Sequence, residues 1–290
     1  MSEPLASTPA IHLSVQDVLG VAHRLPATTH VFAQVNKLLD DPNAALEDIA
    51  ALIKVEPVLA FRVLQMANSA IYGFRAPCSD LGEAMIRLGF TEVNRLVGLV
   101  AAKHLCSNFI SVYGLSAEAF WDDSTRSALA CEWLSQRHAY GDGRSAYTAG
   151  LLRSVGKVVI HRILIEKPGA WRSYVETGRG LPLLQWEKET FGLTNGEAAA
   201  ALMGKWKLLP ELVEAVQTHC QSAGDAPLPH LLRLGASVAA QLGSALPGEA
   251  GYWAEHDAIR AHLEIDDELL QACAREVETA FQRVKRAVGH

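Results

Sequence analysis

Carboxylate, imidazole and thiol side chains are the groups in this chain that could hold a metal ion or act as nucleophiles. By type alone, Asp123, His219 and Cys220 could ligate a divalent cation, because proteins bind such ions through these groups. Other histidines lie in helical patterns with no second ligand four residues away. We interpret these as surface or internally satisfied residues: His104, His138 and His161.

Several common catalytic and binding motifs are missing from the sequence. The cysteines are odd in number and form no CxxC pair, which indicates free thiols in a reducing cytoplasm. They are Cys78, Cys106, Cys131, Cys220 and Cys273. The Gly-Asp-Gly stretch at 141–143 lacks the GxGxxG spacing and a preceding strand, and no GxSxG elbow occurs. We therefore expect neither a glycine-rich phosphate loop nor a serine nucleophile of that type.

Length, charge and hydropathy limit the class of protein. The 290 residues, 49% hydrophobic, suffice for one large domain or two small ones. A net charge of −6 argues against the basic surface of a nucleic-acid binder. No apolar run reaches the ~18 residues of a membrane span, and residues 1–11 lack a signal-peptide pattern and are predicted to be a flexible N-terminus. We predict a cytoplasmic protein with no membrane or nucleic-acid partner.

Helical periodicity extends over nearly the whole chain, so the predicted fold is all-α. Pro57 suits the first turn of a helix, Asp80 can cap the next one, and Gly89 can end it. Thr91 is predicted to cap an apolar helix over 92–106. Further helices or apolar helical segments are predicted at about 29–40, 45–53, 117–138, 145–165, 195–206, 210–219 and 230–242.

The C-terminal segment, about 265–288, is predicted to be an amphipathic helix. Its apolar stripe has helical spacing and comprises Val277, Phe281, Val284 and Val288. This stripe could pack on the body of the domain, or it could bind a partner or a second copy. We expect packing, with residues 246–290 forming helices on the domain.

Three stretches in the first half occur in a characteristic order. Leu25-Pro26 precedes the first long helix, Ala-Asn-Ser-Ala-Ile-Tyr-Gly occupies 67–73, and Ala-Met-Ile-Arg-Leu-Gly occupies 84–89. This order and spacing resemble the HDOD family, the signalling-output relatives of HD-type metal-dependent phosphohydrolases. We interpret its motif residues as a scaffold, with a ligand contact by the Asn or Ser as the alternative. The scaffold residues are Asn68, Ser69, Gly73, Leu88 and Gly89.

The second half continues the resemblance in four segments. Residues 149–157 match the segment that reads GLLHDIG in active HD enzymes, and the others lie at 120–124, 192–206 and 209–220. The resemblance covers roughly residues 20–240 and implies a two-lobed helical bundle. An HDOD-specific lobe would span about 12–107 and an HD-like lobe about 115–245.

Nearly every position that holds a metal ligand in an HD hydrolase carries another residue here, and His219 is the ligand position that is retained. We name these positions the vestigial HD site: Asp123, Arg153, Ser154, Asn195, His219 and Cys220. By the resemblance, Arg153 and Ser154 replace the His-Asp pair that would bind the water-activating cation. A guanidinium cannot be deprotonated there, and at ~4 Å and an effective dielectric of ~20 it would repel a unit positive charge by about 4 kcal/mol. We predict no catalytic residues, no metal and no cofactor.

Three roles are open for Arg153. It could pair with Asp123 and fill the former metal site, it could bind a phosphate-bearing ligand together with Lys157 and His219, or it could face solvent without a role. The resemblance implies a non-catalytic bacterial signal-transduction module that contacts unidentified signalling proteins. The alternatives are a pseudoenzyme that senses a nucleotide or phosphate ligand, and an active metal-dependent phosphohydrolase. The sequence leaves the oligomeric state open.

Overall fold

The computed structural model is helical throughout. It describes residues 11–41, 43–69, 77–105, 108–138, 143–167, 171–178, 180–221, 226–253 and 256–288. Within these ranges, extended segments pair only in an isolated antiparallel bridge between Ile110 and Leu115. The all-α prediction is confirmed. Gly73, Cys106 and nearly all of the predicted flexible N-terminus lie outside the described residues.

The α-helices of the described residues are numbered in chain order. In the first half they are α1 Val15–Ala22, α2 Ala27–Leu39, α3 Leu46–Lys54, α4 Pro57–Ala67, α5 Leu81–Leu88 and α6 Phe90–Leu105. In the second half they are α7 Ala117–His138, α8 Gly143–Leu152, α9 Val155–Glu166, α10 Tyr174–Thr177, α11 Leu183–Phe191, α12 Asn195–Lys205, α13 Pro210–Thr218 and α14 Pro227–Ala239. The C-terminal part adds α15 His256–His262 and α16 Asp267–Val288.

Most of the predicted helix ends have the expected local chemistry. Asp80 caps α5 by accepting a hydrogen bond from the backbone N–H of Glu83 at 2.9 Å, and Gly89 ends that helix with φ 78°. The prediction that Thr91 caps the next helix is wrong. The carbonyl of Gly89 already accepts from the N–H of Val93, so α6 begins at Phe90 and Thr91 lies within its first turn.

Two predicted segments differ from the observed helices. The apolar stretch 145–165 is divided into α8 and α9, and the break falls at Arg153 and Ser154. The helix expected from about 230 begins at Pro227, because proline is tolerated where the first N–H needs no partner. It continues as a π-helix over Ala240–Ser244.

Asn68 joins the end of α4 to the residues that precede α5. Its Nδ2 donates to the carbonyl of Cys78 and its Oδ1 accepts from the Cys78 N–H, both at 2.7 Å. One side chain thus satisfies both backbone groups of a buried residue. These contacts support the scaffold interpretation of Asn68.

We expect Asn68→Ala to lower the free energy of unfolding by about 1–3 kcal/mol, because it leaves both backbone groups of Cys78 without their partner. Urea denaturation of the full chain measures this. Asn43→Ala is a suitable control, since Asn43 is an exposed turn residue whose side chain donates a hydrogen bond to Asp41 at 3.4 Å. Equal effects of the two substitutions would contradict the scaffold role.

The main hydrophobic cluster contains buried residues from both predicted lobes, from Leu13 to Phe281. The division into two lobes therefore remains a prediction. A second cluster joins α7, α14, α15 and α16. Among the described residues, no helix combines the length and the apolar character that crossing a bilayer requires.

The C-terminal helix α16 packs against α7. Phe281 is 1% exposed. Its ring centre lies 5.8 Å from that of Trp121, and the Arg126 guanidinium lies 3.7 Å above it. The predicted apolar stripe is therefore covered at Val277 and Phe281 and partly covered at Val284. The Val288 side chain lies outside the described residues.

Candidate functional site

Five helices position the vestigial HD site. Asp123 lies on α7, Arg153 and Ser154 form the break between α8 and α9, and Asn195 begins α12. His219 is the C-cap of α13 and Cys220 follows it.

Two glycines allow the backbones around this site to approach closely. A Cβ on Gly150 would lie 2.6 Å from the Ala128 Cα. One on Gly156 would lie 1.8 Å from the Asn195 carbonyl oxygen. Glycine at these two positions therefore brings α8 onto α7 and α9 onto α12.

Arg153 is buried at the centre of the site, with 1% of its side chain exposed. Its Nη2 donates to Asp123 Oδ1 at 2.5 Å, and its Nε donates to the Ser127 hydroxyl at 3.1 Å. The predicted ion pair between Arg153 and Asp123 is therefore present. The solvent-facing alternative is wrong, because the guanidinium is enclosed by helices.

Sequence reasoning missed Glu249, which completes the charge cluster. It lies between the π-helix and the short 3-10 helix Ala250–Trp253. Its Oε2 accepts from Arg153 Nη1 at 2.8 Å, and its Oε1 pairs with Lys157. Two cationic residues four apart in an otherwise apolar segment were the available signal, because buried cations require carboxylate partners. That signal predicts a carboxylate partner but does not identify which Asp or Glu residue provides it.

The buried carboxylates respond differently to the same cluster. Burial raises the pKa of Asp123 to about 6; the Arg153 charge opposes this rise and Glu249 adds to it. Burial would also raise the pKa of Glu249, but attraction to Arg153 and Lys157 outweighs it and lowers the pKa to about 2. Glu249 is therefore held in its ionised form.

Asn195 belongs to an adjoining polar cluster. Its backbone N–H donates to Glu187 Oε2 at 2.8 Å, and its Nδ2 donates to the same carboxylate. The Tyr113 hydroxyl donates to Glu187 Oε1 at 2.8 Å. Burial raises the pKa of Glu187, although these hydrogen bonds oppose the rise. The amide of Asn195 therefore holds a buried carboxylate, in contrast to the imidazole that the family pattern would place there.

His219 is fully enclosed and uses both ring nitrogens. A carbonyl can only accept, so Nδ1–H donates to the Val216 oxygen at 2.8 Å, and Nε2 is left to accept from the Cys220 thiol at 3.0 Å. Burial and the Arg153 charge lower the pKa of His219 to about 3, and burial raises the pKa of the Cys220 thiol. Both groups are therefore neutral at physiological pH.

The donor set does not fit a divalent cation. Arg153 fills the centre of the site, Asp123 and Glu249 neutralise it, and both nitrogens of His219 are hydrogen-bonded. Within the part of the chain that the structure describes, no group of three or more His, Cys, Asp or Glu side chains is placed to hold a metal.

The buried imidazole predicts a pH-dependent stability. Because the folded-state pKa of His219 lies below its ordinary value, its contribution is complete above about pH 6.5 and is lost as the pH falls toward 3. Each unit in that window costs about 1.4 kcal/mol. We expect His219→Gln to reduce the loss of stability between pH 7.5 and 5 by about 2 kcal/mol, as measured by urea denaturation at both pH values.

The control for this measurement is His23→Gln, at an exposed residue after α1. It leaves the buried imidazole in place and should keep the wild-type difference between the two pH values. Asp123 titrates in the opposite sense, since its raised pKa favours the folded state as the pH falls through about 6. Asp123 is present in the wild type and in both variants, so its contribution cancels when their pH differences are compared. An unchanged difference in His219→Gln would show that the imidazole is not neutral when folded.

Comparison with known proteins identifies the fold. The family model described as HDOD domain matches residues 25–222. An uncharacterized protein of Treponema pallidum is 23% identical over 219 residues, which are 73% of this chain. The chain spans only 40% of the length of that curated relative.

Three solved structures are similar over most of the chain. An HDOD domain protein of unknown function from Geobacter sulfurreducens has a TM-score of 0.65 and 20% identity, over 95% of this chain and 98% of that one. A Shewanella amazonensis protein named provisionally as a phosphohydrolase has a TM-score of 0.63 and 23% identity, over 91% and 93%. A Marinobacter aquaeolei protein named provisionally as a signal transduction protein has a TM-score of 0.64 and 23% identity, over 95% and 65%. At these identities the likeness establishes the fold alone.

Proposed function

This chain belongs to the HDOD domain family, and we propose that it is a non-catalytic bacterial signal-transduction module that acts by contacting other proteins. The observation that carries the proposal is Arg153, whose guanidinium lies between Asp123 and Glu249, where HD hydrolases would have metal ligands according to the resemblance. Water activation requires a cation with an open coordination position. A fixed guanidinium that is paired with two carboxylates offers none.

The exposed apolar side chains of the first half support a role in association. Val58 and Phe61 on α4, Ile86 on α5 and Phe90 on α6 are each at least 41% exposed, and these helices pack on one another. A contiguous exposed apolar patch marks a protein-interaction site, and we propose that these four side chains form one. The partners would be signalling proteins, and the site of action would be the cytoplasm.

Metal analysis of the purified chain, paired with phosphodiesterase and phosphatase assays in Mn²⁺, Mg²⁺ and Fe²⁺, tests the absence of catalysis. We expect no stoichiometric metal and no turnover. Stoichiometric metal with turnover that is lost in His219→Ala and kept in His161→Ala would overturn the proposal. His161 is the matched control because it is a buried histidine of α9 outside the vestigial HD site.

The association itself is tested by photo-crosslinking in cells. A crosslinking amino acid at Phe61 or Ile86 should capture the same partner, and one at the exposed Ile165 on α9 should not. Capture of identical proteins from all three positions would indicate nonspecific contact and contradict the proposal.

A nucleotide or phosphate ligand at Arg153, Lys157 and His219 remains the alternative. The described contacts give it little support, because Glu249 already bridges Arg153 and Lys157 and His219 is neutral.

A further inference from the structure

A cavity of about 330 Å³ lies where helices from both halves of the chain meet the C-terminal helix. This volume lies within the ~300–1,000 Å³ of typical small-molecule sites. Helices α4, α6, α7, α8 and α16 contribute to its wall, and Ser69 of the family motif borders it. Its apolar lining residues are Met66, Leu96, Leu99, Leu129, Ala280 and Val284. The cavity therefore suits the apolar part of a small ligand.

Two cationic side chains lie beyond one end of this cavity. Arg62 precedes the lining residue Met66 by four residues on α4, and Lys103 follows the lining residue Leu99 by four on α6. Each cation is thus about one helical turn, roughly 5.4 Å, from its neighbour in the wall. The two helices pack on one another, and both burial and the charge of Arg62 lower the pKa of Lys103. The two cations are therefore close to each other.

These cations receive no carboxylate from the described part of the chain. Arg62 Nη1 donates to the neutral side chain of Gln65 at 2.9 Å, and neither Arg62 nor Lys103 forms an ion pair with a described residue. The residues three and four positions away from each along the chain are uncharged. Like charges repel, and an anion between them would remove that cost. Arg62, Met66 and Lys103 are partly exposed, so an anion can reach both cations from solvent.

The charged residues at the other end of the cavity are balanced within the chain. Arg95 pairs with Glu92 and, at 2.6 Å, with Glu132, and the exposed Arg283 adds a positive charge there. Glu92 lies about 16 Å from Lys103 along the axis of α6, at 1.5 Å per residue. This exceeds the ~8 Å Debye length at physiological salt. An anion between the two cations is therefore not opposed by these carboxylates.

We propose that the cavity and the two cations form a binding site for a medium-chain carboxylate, whose apolar chain occupies the cavity and whose carboxylate bonds to Arg62 and Lys103. The site shares no residue with the vestigial HD site, so it goes beyond the proposed function and does not depend on it. Ser69 at the wall gives the family motif a second use beside the scaffold contact of Asn68. A bound chain would also stabilise the packing of α16 on the other helices of the wall.

The test compares four probes on the full chain: octanoate, 1-octanol, octylammonium and acetate. Binding is measured by calorimetric titration and by the rise of the unfolding temperature that a ligand of the folded state produces. We expect saturable binding of octanoate, with 1-octanol bound at least about tenfold more weakly, because it lacks charge-assisted hydrogen bonds. Octylammonium should not bind, because it would meet two cations, and acetate should not bind, because it lacks the chain that fills the cavity.

Lys103→Gln should weaken octanoate binding about tenfold and leave 1-octanol binding unchanged, because it removes a charge outside the cavity. Lys205→Gln is the matched control: Lys205 is an exposed residue of α12, none of whose described residues lines the cavity. It should bind octanoate like the wild type. Ala280→Phe fills the cavity from α16 without a change of charge, so it should abolish binding of both octanoate and 1-octanol.

Four results would overturn the inference: no saturable binding of octanoate, equal binding of 1-octanol or acetate, equal octanoate affinities of Lys103→Gln and Lys205→Gln, or unchanged binding in Ala280→Phe. The unfolding transition of each variant without ligand establishes that it is folded, and Ala280→Phe keeps the test informative if Lys103→Gln is not. Metal content and phosphodiesterase turnover are measured on the same preparations. Turnover with metal would refute only the proposed function, and absence of octanoate binding would refute only the carboxylate site.

Discussion

Arg153→Met is expected to lower the free energy of unfolding by about 3–5 kcal/mol, because it leaves the buried carboxylate of Asp123 without its cation. Arg153, Asp123 and Glu249 are each at most 3% exposed, so water cannot replace the guanidinium. Methionine has a similar length and fills the space. The loss would therefore reflect the charge, and urea denaturation at neutral pH measures it.

The matched control is Arg24→Met. Arg24 and Glu166 form an ion pair of 2.6 Å, but their side chains are 57% and 46% exposed. Such pairs contribute at most about 1 kcal/mol. If Arg153→Met cost no more than Arg24→Met, the vestigial HD site would not be held by buried charge.

A second substitution should recover part of the loss. In Arg153→Met with Asp123→Leu, the uncompensated carboxylate is gone and Glu249 keeps Lys157. We expect the double variant to be more stable than Arg153→Met alone, since replacing a buried ion pair by apolar residues is often neutral or stabilising. A double-mutant cycle gives the coupling energy between Arg153 and Asp123. Strictly additive effects of the two substitutions on the free energy of unfolding would contradict an energetic coupling between Arg153 and Asp123.

Gly156→Ala is expected to lower the free energy of unfolding by about 3 kcal/mol or more. The added Cβ would lie 1.8 Å from the Asn195 carbonyl oxygen and 2.6 Å from its carbonyl carbon. Both are backbone atoms at the start of α12 and cannot rotate away. Either α9 or α12 must shift, and Lys157 and Asn195 would shift with them. Urea denaturation measures the loss.

Gly204→Ala is the control with the opposite expected sign. Gly204 is an exposed residue of α12, and a Cβ there would meet nothing within 4 Å. Alanine in a helix is favoured over glycine by roughly 0.5–1 kcal/mol, so this variant should be more stable than the wild type. A stabilising effect of both substitutions would contradict the close packing of α9 on α12.

Local signals accounted for much of the helix pattern. Pro57, Asp80 and Gly89 act where the sequence predicts, because capping and positive φ depend on a few adjacent residues. The break at Arg153 and Ser154 was not anticipated. Apolar residues continue on both sides of it, so periodicity alone does not reveal that the chain interrupts a helix there.

The site was predicted in part. The resemblance brought Asp123 and Arg153 together, and residue chemistry then favoured an ion pair between them. Glu249 could not be found in this way, because it lies beyond residue 222, where the family match ends, and its loop has no distinctive pattern. The phosphate hypothesis for Arg153 and Lys157 lost its support once this carboxylate was placed.

The sequence by itself determined that the chain is all-helical, that it carries the HDOD motifs and that a guanidinium stands where a metal ligand would be expected. These properties follow from residue identity and short-range spacing. Only the tertiary structure decided which groups neutralise that guanidinium and that His219 is neutral with both nitrogens engaged. The contact between Arg153 and Glu249 joins residues 96 positions apart, and no local pattern encodes it.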